Sequence, residues 1–343
     1  MAFARPQRPG GRLAGSGWDH IKDAFQPEKT SAGRCARVAG KAGFAGQGRG
    51  CGEGLSTVLT RLIGLRRGVA AAACCFAAVA GSAASAQAQG KLDARYVVTL
   101  AGLPIGRGAW VIDINSDEYT VVANGKTTGL LRIISTGEGT TAARGYVVHG
   151  NLVPSTYASS ITADKSTEEM RVTLAGGNVK DYVVEPPTQP HPDRIPVTDA
   201  HRRGVTDPMS GALARIAGNG DLLTPEACNR KVSLFDGRLR YDLKLAYKRM
   251  DNVKADKGYA GPSVVCAIYF VPIAGYIPDR KAIKYLVAQR DMEVWLVPIA
   301  GTRFVVPYRL EIPTPLGLGV LEATQFVATP LPPRASAANT KIP

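Results

Sequence analysis

Between residues 238 and 247 the chain alternates with period two. Leu239, Tyr241, Leu243, Leu245 and Tyr247 fall on one side, and Arg238, Arg240, Asp242 and Lys244 on the other. Such alternation predicts a strand with one face against an apolar interior and one in water. The same reading predicts strands over residues 91–100, 109–114, 119–126, 139–149, 153–161, 171–174 and 179–184, and again at VVCAIYF and MEVWL further on. Asn-, Asp- and Gly-containing turns separate them. AGLPIGRG, residues 101–108, reads as one such turn, and residues 127–135 read equally as a strand or a short helix. Recurrence of short strands with turn signals between them predicts an all-β fold of about twelve to fourteen strands, mainly antiparallel. A sheet of that length curls or closes to manage its edges. The expectation is a curled sheet or barrel-like β domain over residues 87–330, with one or two short helices.

Two segments depart from the strand pattern. Residues 185–198 begin EPPTQPHPDRIPV, whose five prolines exclude a central strand and favour an extended connection. At Asp207-Pro208 a capping carboxylate precedes a proline suited to the first helical turn, and Leu213 and Ile216 share a face up to Gly218. This predicts a helix packed on the concave side of the sheet or plugging one end. A second helix is predicted over residues 279–289 behind Asp279, with Ile283, Leu286 and Val287 at helical spacing and a strand as the competing reading.

The front of the chain changes the meaning of its charge. Residues 58–86 carry Arg61, Arg66 and Arg67, then the apolar run VAAAACCFAAV, then Ala84-Ser85-Ala86, which is the pattern of a cleavable secretory signal. A lipid anchor on Cys74 and a short buried helix are the alternatives. The apolar run falls short of the roughly twenty residues of a membrane-spanning helix, so no transmembrane span is expected. Residues 1–57 are rich in Gly, Arg and Ala without an apolar period, as in a disordered leader or an upstream extension, and residues 331–343 read as a disordered tail. The whole chain carries a net charge of +14, but residues 1–86 hold 12 of its 42 Lys+Arg and only 4 of its 28 Asp+Glu, leaving +6 for the rest. That balance is ordinary for a surface of mixed charge and argues against nucleic acid as a partner.

Removal of the signal would leave two of six cysteines, Cys228 and Cys266. In an oxidising compartment they predict a disulfide, with two buried free thiols as the alternative. They lack the CxxC spacing or neighbouring histidine of a metal site. His149, His191 and His201 stand singly, and Ser210 lacks the G-x-S-x-G elbow of an activated serine. GLPIGRG and PLGLGV lack phosphate-loop spacing and read as turns. No catalytic residue, metal ligand or cofactor is assigned on these grounds. If the sheet encloses an apolar ligand, Tyr241, Leu243, Tyr247, Trp295 and Leu296 are the expected lining. Arg238, Arg240 and Lys244 are the expected contact to an anionic surface, or simply the solvated side of a strand.

FDGRLRYDL, GYAGPSVVC, RDMEVWL and VPIAGTRFVVPYRLEIPTPLG resemble segments of exported proteobacterial proteins in the domain of unknown function 3108 family. The resemblance is clearest over residues 207–327. It implies a periplasmic, mostly β protein with no established activity, and supplies no catalytic residue to carry over. The expected function is therefore non-enzymatic: binding of an apolar or lipid-like component of the cell envelope. A structural or protein-interaction module is the alternative, and an envelope hydrolase a more distant one.

Overall fold

The computed structural model describes residues 89–129, 136–164 and 166–332. The expected leader, the signal segment, the tail from residue 333 and most of residues 127–135 lie outside the described residues. The described part is all-β and mainly antiparallel. Seven strands follow one another as a meander: β1 (Gly90–Leu100), β2 (Leu103–Ile114), β3 (Glu118–Thr127), β4 (Gly137–Val148), β5 (Asn151–Ala163), β6 (Ser166–Ala175) and β7 (Asn178–Glu185). After an extended connection come the one-turn helix α1 (Pro208–Gly211), the two-residue β8 (Ala214–Arg215), β9 (Arg230–Phe235) and β10 (Arg240–Lys254). The described part ends with β11 (Lys257–Gly258), β12 (Ala260–Ala274), α2 (Lys281–Ala288), β13 (Glu293–Pro298), β14 (Phe304–Thr314) and β15 (Gly317–Pro330).

The main path of the sheet runs β7-β6-β5-β4-β3-β2-β1-β15-β14-β13-β12-β10-β9. The first and last strands meet at its middle, where β1 and β15 pair from Gly90↔Pro330 to Leu100↔Gly319. Period-two burial is plain in β1 and β2, where Leu92, Ala94, Tyr96, Trp110, Ile112 and Ile114 all turn to one buried face. They join Tyr119 and Val121 of β3 and Val306, Tyr308 and Phe326 from the other half in one apolar cluster. Tyr182 of β7 and Phe235 of β9, at the two ends of this ladder, have ring centres 5.3 Å apart, which requires the sheet to curl.

A second cluster holds Val264, Val294, Leu296 and Val305 around the cysteines. Cys228 and Cys266 form a disulfide with Cα atoms 5.3 Å apart. Both are fully buried. A third cluster contains Tyr157, Val172, Leu174, Val205 and Phe235.

Several expectations are corrected. The turn foreseen over residues 101–108 is only Ala101-Gly102, the two positions with left-handed backbone (φ 49° and 80°). Gly106 and Gly108 instead lie inside β2. A side chain at Gly108 would come within 2.9 Å of the Asn124 carbonyl oxygen, so glycine serves close approach there rather than turning. The helix at Pro208 stops at Gly211 instead of Gly218, because Ala214 and Arg215 pair with Val305 and Phe304 as β8. The helix over residues 279–289 is present as α2, but its cap is Arg280; Asp279 pairs with Lys284 instead.

The strand read over residues 238–247 starts at Arg240 and runs on to Lys254. Its faces are less simple than the pattern implied: Asp242, assigned to water, is buried, whereas Tyr247, assigned to the interior, is 43% exposed. Three neighbours make the buried carboxylate tolerable. Arg240 Nη1 lies 2.6 Å from Asp242 Oδ1, Ser233 Oγ donates to the same oxygen at 2.9 Å, and Lys231 Nζ lies 3.6 Å from Oδ2.

Candidate functional site

The proline-rich connection leaves β7 and crosses the end of β12, where Gly275 N–H donates to Ile195 O and Ile195 N–H to Tyr276 O. Gly275 is required at this corner: its φ is +85°, and a side chain would collide with the Arg238 carbonyl oxygen at 1.9 Å. The chain then runs as a strap between the two outermost strands, β7 and β9. Val205 N–H donates to Gly177 O at the β6–β7 turn (2.8 Å), Thr206 N–H donates to Ser233 O of β9 (2.9 Å), and Phe235 N–H donates to Thr206 O (3.0 Å). Phe235 adds an edge-on contact to the Tyr182 ring of β7. The sheet is not closed by strand pairing; this strap spans its seam.

α1 follows directly. Ser210 N–H donates to Asp207 Oδ1 at 2.8 Å, the cap that the sequence predicts. Ser210 Oγ and Tyr119 Oη share a hydrogen bond of 2.6 Å, which ties the helix to the interior face of β3. Asp207 is fully buried, and its Oδ2 has no hydrogen-bond partner among the described residues. Burial therefore raises its pKa above the usual 3.8, against the smaller lowering effect of its bonds to Ser210. A carboxyl raised in the folded state contributes its stability below the unfolded pKa and loses it as pH rises through the folded one. Asp207→Asn keeps the cap acceptor and carries no charge. Its urea midpoint should gain on that of the wild type as pH rises from 4 to 8; parallel pH profiles would refute this account of Asp207.

Beside the strap and α1 opens a cleft of about 690 Å³. Its apolar wall includes Leu152 of β5, Val205 of the strap, Leu213 and Ile216 after α1, Val232 of β9 and Phe304 of β14. These elements lie far apart in the ladder and meet only because the sheet curls. Polar groups on the wall include Ser210, Arg215, Glu226, Asn229 and Arg230. Arg230 shares the inward face of β9 with Val232 and Leu234, both buried. Burial alone lowers the pKa of its partly buried guanidinium, and no carboxylate lies within ion-pair distance among the described residues. Arg215 stands opposite Phe304 across the β8–β14 pair. Its guanidinium lies over the β4–β5 turn, where a side chain at Gly150 would be 3.3 Å from Nη2. Glu226, the one carboxylate on the wall, is exposed and bonded to Thr224, which lowers its pKa.

The lining expected from the sequence does not converge here. Trp295 and Leu296 are consecutive in β13 and point to opposite faces. Leu296 packs beside the disulfide. Trp295 donates from Nε1 to Asp251 Oδ2 at 2.8 Å, and the guanidinium carbons of Arg249 and Arg309 lie 5.3 and 5.1 Å from its ring centre. Tyr241 packs on Phe270 with ring centres 5.4 Å apart, Leu243 is partly buried, and Tyr247 is exposed. None of the five lines the cleft.

The expected anionic-surface contact is also largely engaged within the chain. Arg238 donates to Thr188 Oγ1 and Pro186 O and lies 3.7 Å from Glu168, and Arg240 is held by Asp242. Only Lys244 is exposed. His149, His191 and His201 lie off the cleft wall. No group of His, Cys, Asp and Glu suited to a metal ion occurs among the described residues, and no helix there is long and apolar enough to cross a membrane.

A family model described as a protein of unknown function (DUF3108) matches residues 95–324, from β1 to β15. No curated protein matches the chain. Among solved structures, the crystal structure of a beta-barrel-like protein of domain of unknown function DUF1849 from Brucella abortus is similar over 71% of this chain and 99% of that one, with 8% identity and a TM-score of 0.39.

Proposed function

The chain belongs to the DUF3108 family of proteins of unknown function, and on that premise we propose that it is a non-enzymatic periplasmic protein that binds an apolar, lipid-like component of the cell envelope. The observation that supports this reading is the cleft beside the strap: about 690 Å³, within the range of small-ligand sites, and walled mainly by aliphatic side chains. The ligand lies there rather than among Tyr241, Leu243 and Trp295, none of which lines the cleft. Export rests on the signal pattern of residues 58–86 and on the disulfide, which suits an oxidising compartment.

The test uses N-phenyl-1-naphthylamine, an uncharged apolar probe that fluoresces when removed from water. The wild type should bind it saturably. Ala217→Trp places a large ring on an exposed position of the cleft wall, so it should weaken binding at least about tenfold with an unchanged thermal midpoint. Full binding by a folded Ala217→Trp variant, or no binding by the wild type, would overturn the reading. The structural alternative is supported by the three packed apolar clusters, and absence of probe binding would favour it.

A further inference from the structure

We propose that Arg215 and Arg230 form the anion-recognising part of this cleft, so that its ligand is an amphiphile carrying a phosphate or carboxylate group. This rests on the proposed binding role and specifies its ligand class. Arg230 opens β9 on the cleft wall. In β9 the alternation Arg230, Val232, Leu234 assigns the arginine to the face whose other two members are buried. A guanidinium there gives up hydration, and that loss is normally offset by a carboxylate or by accepting groups.

No such offset is present among the described residues. The chain supplies carboxylates to other cations nearby, Asp242 to Arg240 and Lys231, and Glu293 to Lys248 and Arg249, but none to Arg230. Arg215 adds a second cation on the same wall. Its position opposite the buried Phe304 sets charge beside apolar surface. Asn229, also on the wall, adds amide donors. Glu226, the one carboxylate on the described wall, is exposed and engaged with Thr224.

An aliphatic wall with two guanidiniums that have no partner among the described residues matches a molecule with an apolar chain and a compact anion. Guanidinium suits both candidate anions, because its planar fork of N–H groups pairs with the oxygens of phosphate or carboxylate. A neutral apolar molecule would leave Arg230 as it is. An inorganic anion would leave the aliphatic wall in water.

The experiment measures displacement of N-phenyl-1-naphthylamine by dodecyl phosphate, laurate and 1-dodecanol, which share a twelve-carbon chain and differ at the head. Wild type should bind at least one of the two anions at least about tenfold more tightly than the alcohol, the equivalent of one hydrogen bond to a charged group. The relative strength of phosphate and laurate identifies the preferred head. Arg230→Gln should remove that preference while leaving 1-dodecanol unchanged, and the exposed Arg215→Gln should reduce it without altering the thermal midpoint.

Equal displacement by all three compounds in the wild type would overturn the inference and leave the binding role standing. So would retention of the anion preference in both folded variants. If Arg230→Gln does not fold, Arg215→Gln alone decides: an unchanged anion preference overturns the inference. Failure of the wild type to bind the probe at all would remove the binding role and the inference together.

Discussion

Phe235→Ala is expected to destabilise the protein by about 3–5 kcal/mol, the usual cost of emptying a buried aromatic site. Phe235 is fully buried at the end of β9. It packs with Val172 and Leu174 of β6 and Val205 of the strap, and its ring meets Tyr182 of β7. It therefore joins the two edges of a sheet that do not pair with each other. Ordinary core truncation would lower stability without regional preference. Loss of this ring should also release the strap, so hydrogen exchange should accelerate first at the amides of Val205 and Thr206, which donate across the seam. Amides within the β1–β15 pair should keep their protection up to the global unfolding limit. Uniform loss of protection would mean that Phe235 fills space without fastening the seam.

Removal of the disulfide should have an effect of similar size. The bridge closes a loop spanning 38 positions, and chain-entropy bookkeeping puts its contribution at roughly 4 kcal/mol. Cys228 precedes β9, whereas Cys266 lies in β12 on the far side of β10, so the bond spans three neighbouring strands. Its burial among Val264, Val294, Leu296 and Val305 adds a packing loss when both sulfurs are removed. The paired variant Cys228→Ala, Cys266→Ala should lose about 2–5 kcal/mol by urea denaturation. Because both cysteines are 0% exposed, dithiothreitol should leave the folded protein oxidised and reduce it only as denaturant opens the core. Alkylation of Cys228 and Cys266 in the unreduced, unfolded protein would contradict the bridge.

The fold class was legible in the chain, because a backbone alternating every second residue and broken by Gly, Asn and Pro has few ways to bury its apolar side other than an antiparallel sheet. So was the cap at Asp207, since Asp-Pro is a local signal that needs no distant partner. The disulfide was indicated once the front cysteines were set aside. What each face meets depends on packing between distant strands. Periodicity says that Arg240 and Asp242 share a side of β10; only pairing with β9 brings Lys231 and Ser233 to make a buried aspartate acceptable. Periodicity also separates Trp295 from Leu296, although a list of bulky residues groups them. The candidate site was nearly illegible. Leu152, Leu213, Val232 and Phe304 belong to segments far apart in the chain and meet only because the sheet curls and its seam is strapped. The one local clue was the alternation of Arg230, Val232 and Leu234. In sequence that arginine reads as a strand's solvated end; in the fold it stands on the cleft wall, partly buried and without a carboxylate partner among the described residues.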